Sequence, residues 1–234
     1  MNYPCGICGR DSGVERVDSA LANGLAKSIR CEDCERPIIE LAGRERAERR
    51  DAEHLRRVAE CLPKALSNYR FSTSPAPREA IKAAREWAGD GGVLTLTGEV
   101  GRGKTGLAAA AVWTRLYAEP IRWVSVPTLL TNLMGPNGSK QREQAAQFLR
   151  GKSSIALDDL DKFKPGEWAA SQIFACIDNV ITSGNSLINT TNKTPGELAG
   201  FIGGEVGAAI ASRLSAGRVV RVTGPDHRLT KAAA

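Results

Sequence analysis

Residues Val93-Leu-Thr-Leu-Thr-Gly98-Glu-Val-Gly101-Arg-Gly103-Lys104-Thr105 constrain this chain more than any other stretch. A short β-favouring apolar run meets a glycine-rich turn, and Lys-Thr then opens an alanine-rich helical segment. This is the pattern G-x-x-x-x-G-K-[ST] in the strand–turn–helix setting that gives it meaning. Glycines let successive backbone N–H groups turn inward around phosphate oxygens. A helix beginning near Gly103 adds its positive dipole end. Lys104 supplies a point charge for β- and γ-phosphates, and Thr105 a hydroxyl for Mg²⁺. Gly98, Gly101, Arg102, Gly103, Lys104, Thr105 and Gly106 are therefore the candidate ATP-binding residues.

From this point apolar runs and helical patterns alternate. Strands are predicted at 93–97, 121–126, 153–158, 186–190 and 218–222. Helices are predicted at 104–118, 128–134 with 140–149, 167–182, and 196–214 with a break at Gly203-Gly204. Upstream, a helix from about Pro77 to Ala88 is expected, capped by Thr73 or Ser74 and stopped by Gly89. Strands alternating with helices give an α/β fold with a parallel five-stranded sheet covered on both faces. Ligands of such sheets bind at the carboxyl ends of the strands, here 98–105, 158–161 and 190–193. The run Ile155-Ala-Leu-Asp158-Asp159-Leu-Asp161 is an apolar strand ending in acids. Asp158 is the candidate magnesium residue beside Thr105, and Asp159 is placed to polarise an attacking water. Asp161 reads as surface or loop capping. At the next strand end, Asn192 is the candidate to bond that water or the γ-phosphate. Gly135-Pro-Asn-Gly-Ser139 reads as a loop. Arg213 closes a helix; an arginine there either reaches a neighbouring subunit's γ-phosphate or caps its own helix.

The N-terminus carries a second signal. Cys5-Gly-Ile-Cys8 and Cys31-Glu-Asp-Cys34 are two C-x-x-C turns, slightly farther apart than in a typical zinc ribbon. Four thiolates so arranged make a tetrahedral site that selects Zn²⁺. A segment this short buries too little surface to fold unaided, so the metal would supply the folding energy. Cys61 and Cys176 lack partners at ligand spacing and read as ordinary buried thiols. Between 35 and 66 the chain is crowded with Arg and Glu, as in an exposed helix ended by Pro63, with pairs such as Glu45–Arg49 and Glu53–Arg57. His54 lies in it with no assigned role. Asn68 to Phe71 then reads as a linker whose aromatic and amide groups either lie against an adenine ring or pin the linker to the core. The expected division is a zinc-binding segment at 1–36, a helical linker or docking arm at 37–66, and an ATPase domain at 67–234.

Among 234 residues no apolar run approaches a membrane span, and no signal peptide precedes Cys5, so a cytoplasmic protein is expected. The net charge of +6 is compatible with a nucleic-acid partner. Lys140, Arg142, Lys162, Lys164 and Lys193 are candidate phosphate contacts.

With these motifs in order, residues 67–228 resemble the AAA+ ATPases. Within them the chain is similar to the helicase loaders of the DnaC/DnaI type and their IstB-type transposition relatives. The marks are Gly98 to Thr105, Leu157-Asp158-Asp159-Leu160, Thr191-Asn192, Ser212-Arg213-Leu214 and Gly224-Pro-Asp-His-Arg228. The resemblance implies Asn192 as sensor 1, Arg213 as an arginine finger acting in trans, and Arg228 as a sensor-2-like residue. It implies a slow, partner-regulated ATPase that loads a replicative helicase hexamer onto single-stranded DNA and self-associates through an ATP-bridged interface. The alternatives are a transposition helper on duplex DNA and a small P-loop kinase or nucleotide switch. Asp159 stands where AAA+ proteins generally carry glutamate, and its shorter reach is expected to slow hydrolysis. The short stretch after Arg228 implies no complete helical lid.

Overall fold

The computed structural model describes residues 2–15 and 29–227. The chain divides into two compact units, Met1–His54 and Leu55–Ala234.

In the first unit, strands β1 (Asn2–Pro4) and β2 (Asp11–Glu15) pair antiparallel, with Asn2 opposite Glu15 and Pro4 opposite Asp11. The first C-x-x-C forms the bend between them, closed by Cys5 N–H to the Arg10 carbonyl (2.7 Å) and Gly9 N–H to the Cys5 carbonyl (2.9 Å). The second strand of this hairpin lacks apolar alternation, so the sequence carries no periodic signal for it. Helix α1 (Glu32–Cys61) starts directly after Cys31 and runs on past the unit boundary. Glu32, Asp33 and Glu35 crowd its first turn, where acids complement the helix dipole. Arg36–Glu32 and Arg56–Glu60 ion pairs at i,i+4 spacing decorate its exposed face. The helix stops before Pro63.

In the second unit, α2 (Arg78–Asp90), β3 (Val93–Thr97), α3 (Lys104–Arg115), β4 (Ile121–Ser125), α4 (Val126–Leu133), α5 (Lys140–Arg150), β5 (Ser154–Asp158), α6 (Glu167–Thr182), β6 (Leu187–Thr190), α7 (Pro195–Ile202), α8 (Gly204–Ser215) and β7 (Arg218–Arg221) follow in order. The five strands form one parallel sheet in the order β4-β5-β6-β3-β7. Side chains alternate between its faces. Ala156 and Ile188 join Leu94, Leu96 and the buried alanines of α2 and α3 on one side. Ile155, Leu157 and Leu187 meet α4, α6, α7 and α8 on the other. The run Ala108 to Ala111 is fully buried, its small side chains letting α3 lie close to the sheet. The expected sheet and both helical layers are thus present.

Two cap expectations are corrected. Helix α2 has Pro77 at its N-cap and no side-chain cap. Ser74 instead accepts a bond from Ala76 N–H (3.4 Å), and Thr73 ends a separate 3₁₀ turn. The helix also runs through Gly89 and stops at Gly91, whose φ is +81°. A Cβ on Gly91 would lie 2.4 Å from Ser186 Oγ. The buried Arg115 guanidinium donates to the carbonyls of Trp87, Ala88 and Gly89, satisfying the last turn of α2. Among the described residues no helix is long and apolar enough to cross a membrane.

Candidate functional site

The sheet order sets β3, β5 and β6 side by side, so three polar strand ends converge. After β3 the chain turns through residues 98–103, and Gly103, in a left-handed conformation (φ +84°, ψ +13°), is the N-cap of α3. Lys104 is buried, and its ammonium donates to the carbonyls of Gly98 (2.7 Å) and Glu99 (2.7 Å) and to Asn192 Oδ1 (2.8 Å). Burial holds this ammonium below the ordinary lysine range, with the carboxylates of Asp161, Asp159 and Asp158 opposing the shift. Lys104 is thus anchored across the turn to the neighbouring strand end.

Thr105 Oγ1 donates to Asp158 Oδ1 (2.9 Å), and Thr190 Oγ1 donates to the same oxygen (2.6 Å). Burial pushes the Asp158 carboxyl up, and the two hydroxyls and the Asp159 N–H oppose this. A hydroxyl and a carboxylate in contact are the hard oxygen donors that Mg²⁺ takes, so Thr105 and Asp158 suit that ion. Asp159 has φ +57°, and among the described residues no other non-glycine has a positive φ. Its N–H donates to Thr190 Oγ1 (3.0 Å). Such a conformation costs on the order of 1–3 kcal/mol and persists only where the surroundings over-determine it.

The remaining candidates fall as follows. The Arg102 guanidinium is turned onto the Gly224 carbonyl and the Glu99 carboxylate. Gly106, on the first turn of α3, lies under the Tyr69 ring. Asp226 lies against Gly101, and His227 N–H donates to the Gly101 carbonyl (3.0 Å), so the segment after β7 folds over the turn. Arg213 neither caps its own helix nor stands free: it pairs with Asp178 of α6 at 2.8 Å. Arg228 lies outside the described residues. Lys140, Lys162 and Lys164 lie at least partly exposed, Lys193 lies over the Phe201 ring, and Arg142 bonds the Gly135 carbonyl.

The sequence reading placed Asp161 on the surface. It is buried, and its two oxygens accept from Asn192 N–H (3.0 Å) and Nδ2 (2.9 Å). Thr190 was also missed. Both become visible only once β5 and β6 are known to be neighbours.

In the first unit, the sulfurs of Cys5, Cys8, Cys31 and Cys34 all lie within 4.8 Å of one another. The Cys8–Cys31 pair is 3.6 Å apart, close to the spacing of about 3.8 Å in a tetrahedral S₄ site with Zn–S near 2.3 Å. Backbone N–H groups of Cys8, Cys31 and Ile7 hold the Cys5 thiol down to about 6, while donating its S–H to the Cys8 and Cys31 sulfurs raises Cys34 to about 12. The quartet fits an N-terminal zinc site. Cys61 and Cys176 stand apart, both pushed up to about 12 by burial.

A parallel sheet in this order, a glycine turn presenting Lys-Thr, and acid and amide side chains at the next two strand ends define a P-loop nucleotide-binding domain of the AAA+ class. The chain belongs to the family of IstB-like ATP-binding proteins, whose sequence profile matches residues 23–234. Among solved structures it is similar to DnaI (TM-score 0.57, 19% identity, 71% of this chain and 94% of that one). It is also similar to the DnaC helicase loader (0.57, 22%, 69% and 100%). Domain III of the Thermotoga maritima replication initiation protein DnaA matches as well (0.56, 21%, 70% and 71%). At these identities the likeness is one of fold. Comparison by sequence with curated proteins finds no match.

Proposed function

We propose that this chain is an ATP-hydrolysing loader, acting in the cytoplasm, that docks on a ring-shaped replicative helicase and helps place it on single-stranded DNA. The observation that supports this reading is the linkage of Lys104 to Asn192 and of Thr105 to Asp158 beside the left-handed Asp159, an arrangement suited to gripping a triphosphate. In this reading Lys104 and the amides of residues 98–106 hold the phosphates, and Asp159 polarises the attacking water. Magnesium, held by Thr105 and Asp158, would neutralise phosphate charge. Arg213 would leave Asp178 to meet a triphosphate on an adjoining copy. The segment 1–36 with the helical arm 37–66 would make the partner contact, and 67–234 the ATPase. The fold likeness to a DnaC helicase loader and to a DnaA bound to single-stranded DNA supports the choice of partners.

The test is size measurement of the chain mixed with candidate hexameric helicases, with and without a non-hydrolysable ATP analogue. A nucleotide-dependent complex is expected, and no complex under any nucleotide condition overturns the reading. A second reading, a transposition helper, is favoured by the match to the IstB-like profile beginning at residue 23. ATP-dependent filaments on duplex DNA without helicase binding would select it.

A further inference from the structure

Asp161 has no part in the phosphate grip or the metal pair, yet its side chain is only 4% exposed. Both its oxygens are spent on one residue. Oδ1 accepts the Asn192 backbone N–H (3.0 Å) and Oδ2 accepts Asn192 Nδ2 (2.9 Å). Beyond that, its nearest cation is Lys162 Nζ at 3.8 Å. The opposite end of the same amide, Oδ1, accepts from Lys104 Nζ at 2.8 Å.

Asn192 therefore sits between a group that can only accept and one that can only donate. This settles which way its amide points. Turning it over would set an NH₂ against an ammonium and a carbonyl against a carboxylate, losing both bonds and adding two repulsions. A carbonyl oxygen cannot bond a phosphate oxygen, since neither carries a proton. It can accept from an ammonium or from a water.

We propose that Asp161 is a positioning residue that commits Asn192 to act as a hydrogen-bond acceptor, holding Lys104 and orienting the attacking water, and not as a donor to the γ-phosphate. The inference rests on the reading of this site as ATP-hydrolysing. In that reaction the water oxygen bonds the γ-phosphorus while the bond to the bridging oxygen breaks. The electron pair leaves on ADP, and a water proton passes to the Asp159 carboxylate. Asn192 Oδ1 accepts from the water's other O–H and so fixes its lone pair on the phosphorus. Asp161 touches neither water nor phosphate, and acts through Asn192.

The test compares Asp161→Asn, Asn192→Asp and the double swap Asp161→Asn/Asn192→Asp in single-turnover ATP hydrolysis and in binding of a non-hydrolysable analogue. Asp161→Asn lets the 192 amide turn, so the hydrolysis rate is expected to fall roughly ten- to a hundredfold. Analogue affinity holds or tightens, because a negative charge has left the neighbourhood of the phosphates. Asn192→Asp alone sets two carboxylates against each other and is also impaired. In the swap, the amide now at position 161 donates to the carboxylate now at position 192. The other oxygen of that carboxylate again faces Lys104 as an acceptor, and the rate recovers above both singles. A donor role for Asn192 predicts no recovery, because position 192 then has no side-chain N–H. The proposal is overturned by a rate within twofold of wild type in Asp161→Asn, by equal losses of rate and binding, or by a swap no better than the singles. Hydrogen exchange of the Asn192 side-chain amide gives a readout free of turnover: slow in the wild type and fast in Asp161→Ala. An amide exchanging freely in the wild type also overturns it. A wild-type chain that binds nucleotide, shows the slow amide and never hydrolyses would overturn only the parent reading.

Discussion

Removing the metal from the cysteine quartet should unfold the first unit and leave the nucleotide site working. Among the described residues up to His54, the only buried ones are Cys5, Cys31 and His54, and the two cysteines belong to the candidate zinc quartet. Ile7, Val14, Ile39 and Leu41 are all more than 40% exposed. No apolar cluster is available among the described residues to hold the β1–β2 hairpin. An exposed pair such as Arg10–Asp33, at 3.2 Å, is screened by solvent and contributes little. A structural zinc ion contributes apparent binding energy of roughly 10–16 kcal/mol in small domains, far more than an exposed ion pair. The purified chain should therefore carry one zinc by atomic emission. Chelation, or Cys8→Ser or Cys31→Ser, should expose the amides of residues 2–15 and 29–34 to rapid hydrogen exchange. Protection at 98–105 and affinity for an ATP analogue should not change. A metal-free native chain whose hairpin amides stay protected would refute the reasoning, because the turns would then be held by something other than the ion.

Asp158→Asn should raise the melting temperature of the nucleotide-free protein while abolishing magnesium-dependent turnover. Burial raises the folded carboxyl above its unfolded value, so its ionised form costs stability at neutral pH, and that cost vanishes as pH falls through the unfolded value near about 3.9. The gain in Asp158→Asn should accordingly shrink towards acid pH in a thermal scan, and a lowered melting temperature at pH 7 would contradict it. Arg213→Ala breaks a half-exposed ion pair worth at most about 1 kcal/mol, so melting and analogue binding should barely move. ATP-dependent self-association and turnover should instead be lost by a factor on the order of 10³, and full turnover would exclude a finger role. A Cβ at Gly106 would stand 2.4 Å from Tyr69 Cε1. Gly106→Ala should thus destabilise by roughly 1–2 kcal/mol in urea unfolding. On a Tyr69→Ala background the same change should stabilise by up to about 1 kcal/mol through helix propensity. Equal effects in both backgrounds would remove Tyr69 from that position.

What was legible in the sequence was local. The P-loop needs one strand, one turn and one helix start, all within 13 consecutive residues, Val93 to Thr105. The limits of α6, Glu167–Thr182, coincide with the apolar period. What was not legible depends on neighbours far along the chain. Gly91 rather than Gly89 stops α2 because Arg115 and Ser186 close over that turn, and neither is near it in sequence. Asp161 looks like a solvated turn acid until β6 is placed beside β5, which brings Asn192 onto it from 31 positions away. Arg213 offered two roles from its helix-end position, and the structure gives it a third partner, Asp178, on another helix. The hairpin was hidden for a different reason. It lies in a unit whose order the sequence ties to a metal, so its strands need no apolar alternation.

The same reasoning explains why the polar network at the strand ends is costly to the fold. Lys104, Asp158 and Asp161 are all about 8% exposed, and burial works against the charge on Lys104 and on Asp158. Each is held by short contacts to the others' partners: Lys104 to Asn192, Asn192 to Asp161, Asp158 to Thr105 and Thr190. Such a network is stable only when every member is satisfied, so it behaves as one unit. Moving Lys104 onto a triphosphate would free the carbonyls of Gly98 and Glu99 but need not break its bond to Asn192. That bond connects the turn after β3 to the end of β6, the strand end that leads into α7. On the proposed reading, the contact of Lys104 with Asn192 is the route by which nucleotide state would reach α7 and α8, the latter carrying Arg213.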